Sequence, residues 1–384
     1  MNKQFDLIVV GGGVLGTFCA LHALEKGWKV ALLEKDKRPQ GATVRNFGMV
    51  VPSGMDLKWQ KYGRESLEIY AKLQEKIDLT ARKTGSLYVA SDAEELALIE
   101  EIAQINESAG YSSRMLSKET CLEKMPGLRK DYAKGGLYFS EDMLVEPHAM
   151  IHRLQEFLRA EKNLQLFNYE QVNQCERVGD KVEVTTSFKT KLWASHVMIC
   201  NGSEFQALYP ELFLASDLKA VKLQMLQTKP QPNSFRLPCG ILSGHSIRRY
   251  EAFSECPSFA KIKEKEPVES AIKKWGINLL LKQGLDGSVI IGDSHEYAAV
   301  AVQEDLGFGI KEEINALMLE EARKIIDLPT FEIEKQWIGT YSQCQDGLFE
   351  RTIDGRIHIL TGIGGKGMTA SPAYAREKID GLSL

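Results

Sequence analysis

Phe5-Asp-Leu-Ile-Val-Val10 runs without a spacer into Gly11-Gly12-Gly13-Val14-Leu15-Gly16, and this junction restricts the fold more than any other stretch of the chain. The β-branched, apolar run has the composition of a strand buried on both faces of a parallel sheet. Val14, Leu15, Phe18, Cys19, Leu21 and Leu24 then recur with helical spacing, and Gly27 is placed to end that helix. Lys29-Val-Ala-Leu-Leu-Glu34 makes a second strand that ends in a carboxylate. In such a βαβ unit Gly11 permits the tight turn, Gly13 lets a pyrophosphate approach the backbone, and Gly16 lets the helix lie close to the strand. The helix N-terminus favours the phosphate charge, while Glu34 accepts hydrogen bonds from a ribose and repels a 2′-phosphate. The unit predicts a dinucleotide and is equally compatible with NAD and FAD.

At 384 residues the chain is longer than one compact core usually organises, so two domains are expected. The net charge of −4 argues against a nucleic-acid surface. No apolar run reaches bilayer-spanning length. The first strand starts almost at once, which leaves no room for a secretory leader. Seven scattered cysteines never take CxxC spacing, so reduced thiols, no metal site and a cytoplasmic location are expected.

Beyond Glu34 and Lys35, a nicotinamide dehydrogenase would continue with another plain βα unit. This chain instead carries Gly41-Ala-Thr43-Val-Arg45-Asn46-Phe47-Gly48-Met-Val-Val-Pro-Ser-Gly54. Further on come Val145-Glu-Pro147, with a helix through Met150, Ile151, Leu154 and Leu158, and the strand Ala194-Ser-His-Val-Met-Ile-Cys-Asn201-Gly202. Near the far end Ile357-His-Ile-Leu360 precedes Thr361-Gly-Ile-Gly364-Gly365-Lys366-Gly367-Met368-Thr369. Together these segments resemble the amine-oxidising flavoenzymes of the D-amino acid oxidase superfamily, which includes sarcosine and glycine oxidases.

The resemblance implies an α/β fold: a Rossmann-like FAD-binding domain with a parallel central sheet, plus a substrate domain on a largely antiparallel sheet with helices. The FAD domain is expected from residues 1–80, 141–210 and 336–384, and the substrate domain from 81–140 and 211–335. Thr43, Arg45, Asn46, Phe47 and Gly48 would run along the FAD. Val172 would lie near its adenine, and Asn201 and Gly202 would end a strand at the cofactor. Gly364, Gly365, Lys366, Gly367, Met368 and Thr369 would meet its redox end, with a final helix starting near Met368. Sarcosine oxidases attach flavin through a cysteine two residues before a tyrosine. In Trp337-Ile-Gly-Thr-Tyr341 that place is Gly339, so non-covalent FAD is expected. The carboxylate-binding lysine of those relatives is replaced by Thr369, and their oxygen-activating lysine falls near apolar Val289-Ile290. Oxidase and dehydrogenase behaviour, with O2 or another electron acceptor, both stay open.

The substrate region offers two polar stretches. Ser243-Gly-His245-Ser-Ile-Arg248-Arg249-Tyr250 is read as lying on or beside a strand, with Arg248 and Tyr250 on one face and Arg249 on the other. Val289-Ile-Ile-Gly-Asp293-Ser-His295-Glu-Tyr297 is a strand ending in a polar cluster. If the strands are neighbours, their ends make one anion pocket over the flavin, completed by Tyr341. The acidic run from Asp92 reads as a solvated helix face. GATVRNFGMV, IGDSHEY and WIGTY together resemble a bacterial subgroup proposed to oxidise aminophosphonates, whose dianion suits arginine. The resemblance implies a small amine giving a hydride to FAD, the imine then hydrolysing. Arg45 and Lys366 would act beside the flavin, and the amine's proton would leave to His245, His295 or water. The rivals are a sarcosine, glycine or D-amino acid oxidase or dehydrogenase, an NAD-dependent dehydrogenase, and a non-catalytic flavin-binding protein.

Overall fold

The fold is described from a computed structural model covering residues 3–267 and 269–384. Lys3–Val10 is the axis of a parallel sheet, flanked by Val30–Glu34 on one side and Lys191–Ile199 on the other. Gln165–Asn168 extends the first side, and Ile357–Thr361 the second. Burial on both faces explains why these strands are nearly unbroken apolar runs. Helices Val14–Glu25, Leu57–Gln74, Pro147–Glu161 and Gly367–Asp380 cover one face with a shared core that includes Leu7, Phe18, Tyr70 and Leu154. The antiparallel strands Val172–Val178 and Lys181–Thr186 close the other face.

A second, mostly antiparallel sheet is built around Lys219–Thr228. That strand pairs with Val289–Gly292 and Glu296–Ala299 on one side and Ile333–Gln343 on the other. The sheet continues through Leu280–Gln283, Gly240–Leu242, Ser86–Ala90, Gly135–Phe139 and Arg114–Ser117. Residues 336–343, grouped with the FAD segments by sequence, are therefore ladder members of this second sheet, because the whole of Ile333–Gln343 hydrogen-bonds along Lys219–Thr228.

The polar run Ser243–Tyr250 differs more sharply from the strand expected of it. Gly244–Ile247 is a helical turn, and the chain leaves helical geometry at Tyr250 (φ −70°, ψ 141°). Strand alternation fails there: Arg249 and Tyr250, adjacent in sequence, face the interior cavity together, while Arg248 turns away.

A buried polar knot joins the two halves. The Asp142 carboxylate accepts hydrogen bonds from Ser53 (2.6 Å), Ser86 and Tyr111 (2.7 Å). Burial pushes its pKa up to about 6 even against those three donors.

Candidate active site

One cavity of about 580 Å³ runs between the two sheets, a size usual for cofactor and ligand sites. It begins at the N-terminus of the helix Val14–Glu25. Gly11 turns the chain at φ +100°, and a Cβ on Gly16 would fall well inside 3.0 Å of the Gly11 carbonyl oxygen. The helix is thereby held against its strand, which sets where its first amides point. Gly13 gives it no side-chain cap; the Val14 amide donates instead to Thr43 Oγ1 at 2.9 Å. At the far end of the cavity Gly364–Lys366 forms a 3-10 turn and Gly367–Asp380 starts, again with no side-chain cap. Two uncapped helix N-termini facing one cavity form a cradle for a long anion that also carries an electron-rich ring.

Gly13, Val14, Leu15, Gly16, Thr43, Arg45, Asn46, Phe47, Gly48 and Gly202 line this cavity. So do Gly364, Gly365, Lys366, Gly367, Met368 and Thr369, together with Arg249, Tyr250, His295 and Tyr341. Thr369 Oγ1 accepts from the Val51 amide at 3.2 Å. Lys366 Nζ pairs with Glu251 at 2.7 Å and lies 5.8 Å from the centre of the Trp59 ring, so a partner from the other half of the molecule meets its charge.

Gly11, Glu34, Lys35, Val172 and Asn201 lie outside the cavity lining. Gly11 is packed under the turn. Glu34 is buried, and its two carboxylate oxygens accept from the Gly12 amide (2.9 Å) and the Asp36 amide (3.0 Å). Desolvation raises its pKa. Lys35 is exposed, Val172 packs with Phe5, Ala31 and Leu33, and Asn201 Nδ2 donates to the Glu204 carbonyl.

Two expected substrate groups stand elsewhere altogether. His245 Nε2 lies 2.9 Å from Glu321, outside this cavity. Arg248 is gripped by Asp92 (2.7 Å), Glu94 (3.3 Å) and Glu95 (2.9 Å), with Glu95 buried. The acidic run is thus an arginine clamp at one end and not simply a solvated face. A guanidinium already held by three carboxylates has no charge left for another anion, so of these two neighbouring arginines Arg249 is the one that lines the cavity. Its Nη2 donates to Tyr297 OH at 2.6 Å.

His295 and Asp293 form the floor. His295 Nδ1 donates to the Gly276 carbonyl at 3.0 Å, so its Nε2 carries the lone pair. Desolvation, reinforced by the Arg249 charge, takes its pKa down to about 3, and the ring is neutral. Asp293 enters the sequence reading only as a member of the polar cluster after its strand, with no role of its own. It lines the cavity at 9% exposure, and its Oδ1 has no hydrogen-bond partner among the described residues. Desolvation lifts its pKa to about 7, against the opposing pull of Arg249 and the Asn278 side chain. The available signal was its position, a carboxylate directly after the buried apolar strand Val289–Gly292. Lys282 was also missed. It stands opposite Ile290 in the ladder, fully buried behind Gly48, with Nζ donating to the Val145 carbonyl and 3.5 Å from Glu146. Desolvation takes its pKa down to about 8. Among the described residues no cluster of three or more metal-ligating side chains occurs, and no helix is long and apolar enough to cross a membrane.

A parallel dinucleotide sheet, a second sheet roofing the same cavity, and two helix ends aimed into it define an FAD-binding oxidoreductase. The chain belongs to the DAO family, FAD dependent oxidoreductase, whose family model matches residues 6–378, and FAD is its cofactor. Glycine oxidase from Geobacillus kaustophilus superposes with a TM-score of 0.77 at 17% identity, over 100% of this chain and 96% of that one. L-proline dehydrogenase from P. horikoshii gives 0.79 at 18% identity, over 99% and 93%. FAD-bound L-α-glycerophosphate oxidase from Mycoplasma pneumoniae gives 0.77 at 17% identity, over 100% and 96%. In sequence, 179 residues are 30% identical to aerobic glycerol-3-phosphate dehydrogenase of Staphylococcus aureus strain USA300, covering 44% of this chain and 31% of that protein. The match thus spans about a third of that relative's length, and the structural likenesses at these identities describe the fold.

Proposed function

We propose that this chain oxidises a small amine that also carries an anionic group, with an aminophosphonate such as 2-aminoethylphosphonate, or an N-methylated or hydroxylated form, as the first substrate to try. The carrying observation is that one guanidinium, Arg249, and one carboxylate, Asp293, line the same FAD cavity, close enough for the arginine's charge to act on the carboxylate. A substrate with opposite charges at its two ends matches that pairing, and guanidinium suits phosphonate or carboxylate oxygens. Bound FAD supplies a two-electron hydride acceptor. The protein's share is orientation and exclusion of water: Arg249 holds the anionic end, and Tyr250, Tyr341 and His295 wall the carbon that is oxidised. Lys366 and the open N-terminus of Gly367–Asp380 place positive potential where charge accumulates on reduction. Gly339 at the position of the family's attaching cysteine supports non-covalent FAD. O2 or another acceptor would reoxidise the reduced protein, and a cytoplasmic location suits the reduced cysteines.

The second reading, a phosphorylated alcohol, is favoured by the stretch shared with glycerol-3-phosphate dehydrogenase. Anaerobic mixing with 2-aminoethylphosphonate, its N-methyl form, sarcosine, glycine, D-alanine and glycerol 3-phosphate, read by bleaching of the flavin colour, separates the two. Bleaching by amines supports the proposal; bleaching by glycerol 3-phosphate alone refutes it.

A further inference from the structure

We infer that the Asp293 carboxylate seats the substrate's ammonium group and takes its proton before hydride leaves the adjacent carbon. This deepens the amine reading and rests on it.

Position and partners single Asp293 out. Its backbone is fixed by a two-way bridge, Asn278 N to Asp293 O (2.8 Å) and Asp293 N to Asn278 O (2.5 Å), so the side chain is aimed by the ladder and not by a loose loop. It is about nine-tenths buried on the cavity wall, with Oδ1 itself closed to solvent and unpartnered among the described residues. A carboxylate this desolvated and short of donors is costly to keep ionised unless a cation meets it. The groups facing it from every packed element are Arg249 and Tyr250 after the helical turn, Asn278, His295 on its own segment, and Tyr341 with Tyr297 beyond. His295, whose Nδ1 is 3.7 Å from Asp293 Oδ1, already gives its proton to Gly276. Neither it nor the tyrosines neutralises Asp293; an ammonium would.

Position and charge set aside the two histidines that the sequence offered as acceptors. His245 is outside the cavity. His295 is neutral but too weak a base, with a pKa near 3, whereas Asp293 near 7 is matched to working pH. The step balances as follows. An N–H proton passes from the ammonium to the Asp293 carboxylate, leaving the lone pair on nitrogen. The neighbouring C–H bond breaks, with both electrons and the hydrogen going to FAD, and the nitrogen lone pair closes the C=N bond. Water then adds to carbon, releasing the carbonyl product and the amine or ammonia.

Two measurements on the FAD-loaded protein test this. In the first, anaerobic reduction by whichever amine bleaches the wild type is followed against pH. The wild-type rate should climb roughly tenfold per pH unit and level off near 7. In Asp293→Asn it should fall ~500-fold at pH 7, with the break moved toward ~10, where an alkyl ammonium ionises by itself. An unmoved break refutes the proton transfer. The second measurement needs no turnover. Betaine and 3,3-dimethylbutyrate, its isostere with an uncharged carbon in place of the quaternary nitrogen, are titrated against the flavin's visible spectrum. Wild type should bind betaine at least ~10-fold more tightly, and Asp293→Asn should lose that preference. A wild type without the preference overturns the ammonium seat, even if amines prove to be substrates. Conversely, a clear betaine preference with no amine bleaching would retire the substrate reading and leave the seat standing.

Discussion

Gly16→Ala isolates the contact on which the cofactor half depends. The new Cβ would fall well inside 3.0 Å of the Gly11 carbonyl oxygen, with Val9 Cγ1 at 3.1 Å and Cys200 Cβ at 3.2 Å behind it. The nearest obstacle is backbone, so no rotamer relieves the clash, and the helix Val14–Glu25 must back away from its strand by ~1 Å or more. Overpacking of this kind costs ~1–3 kcal/mol of stability. The larger effect falls on binding. The amides at the start of that helix move with it, and each hydrogen bond to a charged phosphate is worth ~1.5–3 kcal/mol. Losing two gives ~3–6 kcal/mol, or ~10²–10⁴-fold in FAD affinity. Titrating apoprotein with FAD and following flavin fluorescence measures this directly. Gly41→Ala is the control, because nothing lies within 4 Å of its Cβ and its φ of −79° suits any residue. Gly16→Ala binding FAD within threefold of wild type would refute the argument.

The neighbouring arginines should separate cleanly. Arg248→Ala strands the buried Glu95 and should cost ~3 kcal/mol in urea unfolding with little change in substrate KM, while Arg249→Met should raise KM ~10–100-fold with the fold intact. Asp142 has a raised folded pKa, so the native state holds a proton between ~4 and 6 that the unfolded chain has lost, and stability falls as pH rises through that window. Asp142→Asn should therefore gain up to ~3 kcal/mol relative to wild type between pH 4.5 and 7, and an equal gap at both pH values would refute this. Lys366→Met should slow anaerobic reduction ~10-fold while leaving Tm almost unchanged, since its partner Glu251 is half exposed. Acid or urea denaturation should release all the yellow colour into the filtrate, whereas colour retained on the chain would contradict non-covalent FAD.

The cofactor half was legible because its determinants are contiguous. Strand, glycine turn, helix and second strand follow one another within residues 3–34, each specified by local composition, and Ile357–Thr361 with its glycine loop repeats that logic at the other end. Burial on both faces writes parallel strands as plain apolar runs, so sequence alone determines that a dinucleotide-type parallel sheet exists and that glycine-rich loops follow its strands. The substrate half was decided by tertiary structure. A helical turn at Gly244–Ile247 in place of a strand puts Arg249 in the cavity and Arg248 in a carboxylate clamp; spacing cannot give this, because the direction of a side chain depends on torsions set by distant packing. Ile333–Gln343 joined the second sheet through a ladder with residues more than a hundred positions away. Asp293 is an ordinary aspartate in the sequence, and only burial beside Arg249 and Asn278 makes it a carboxylate poised near neutrality, since desolvation is a property of the folded neighbourhood and not of the residue.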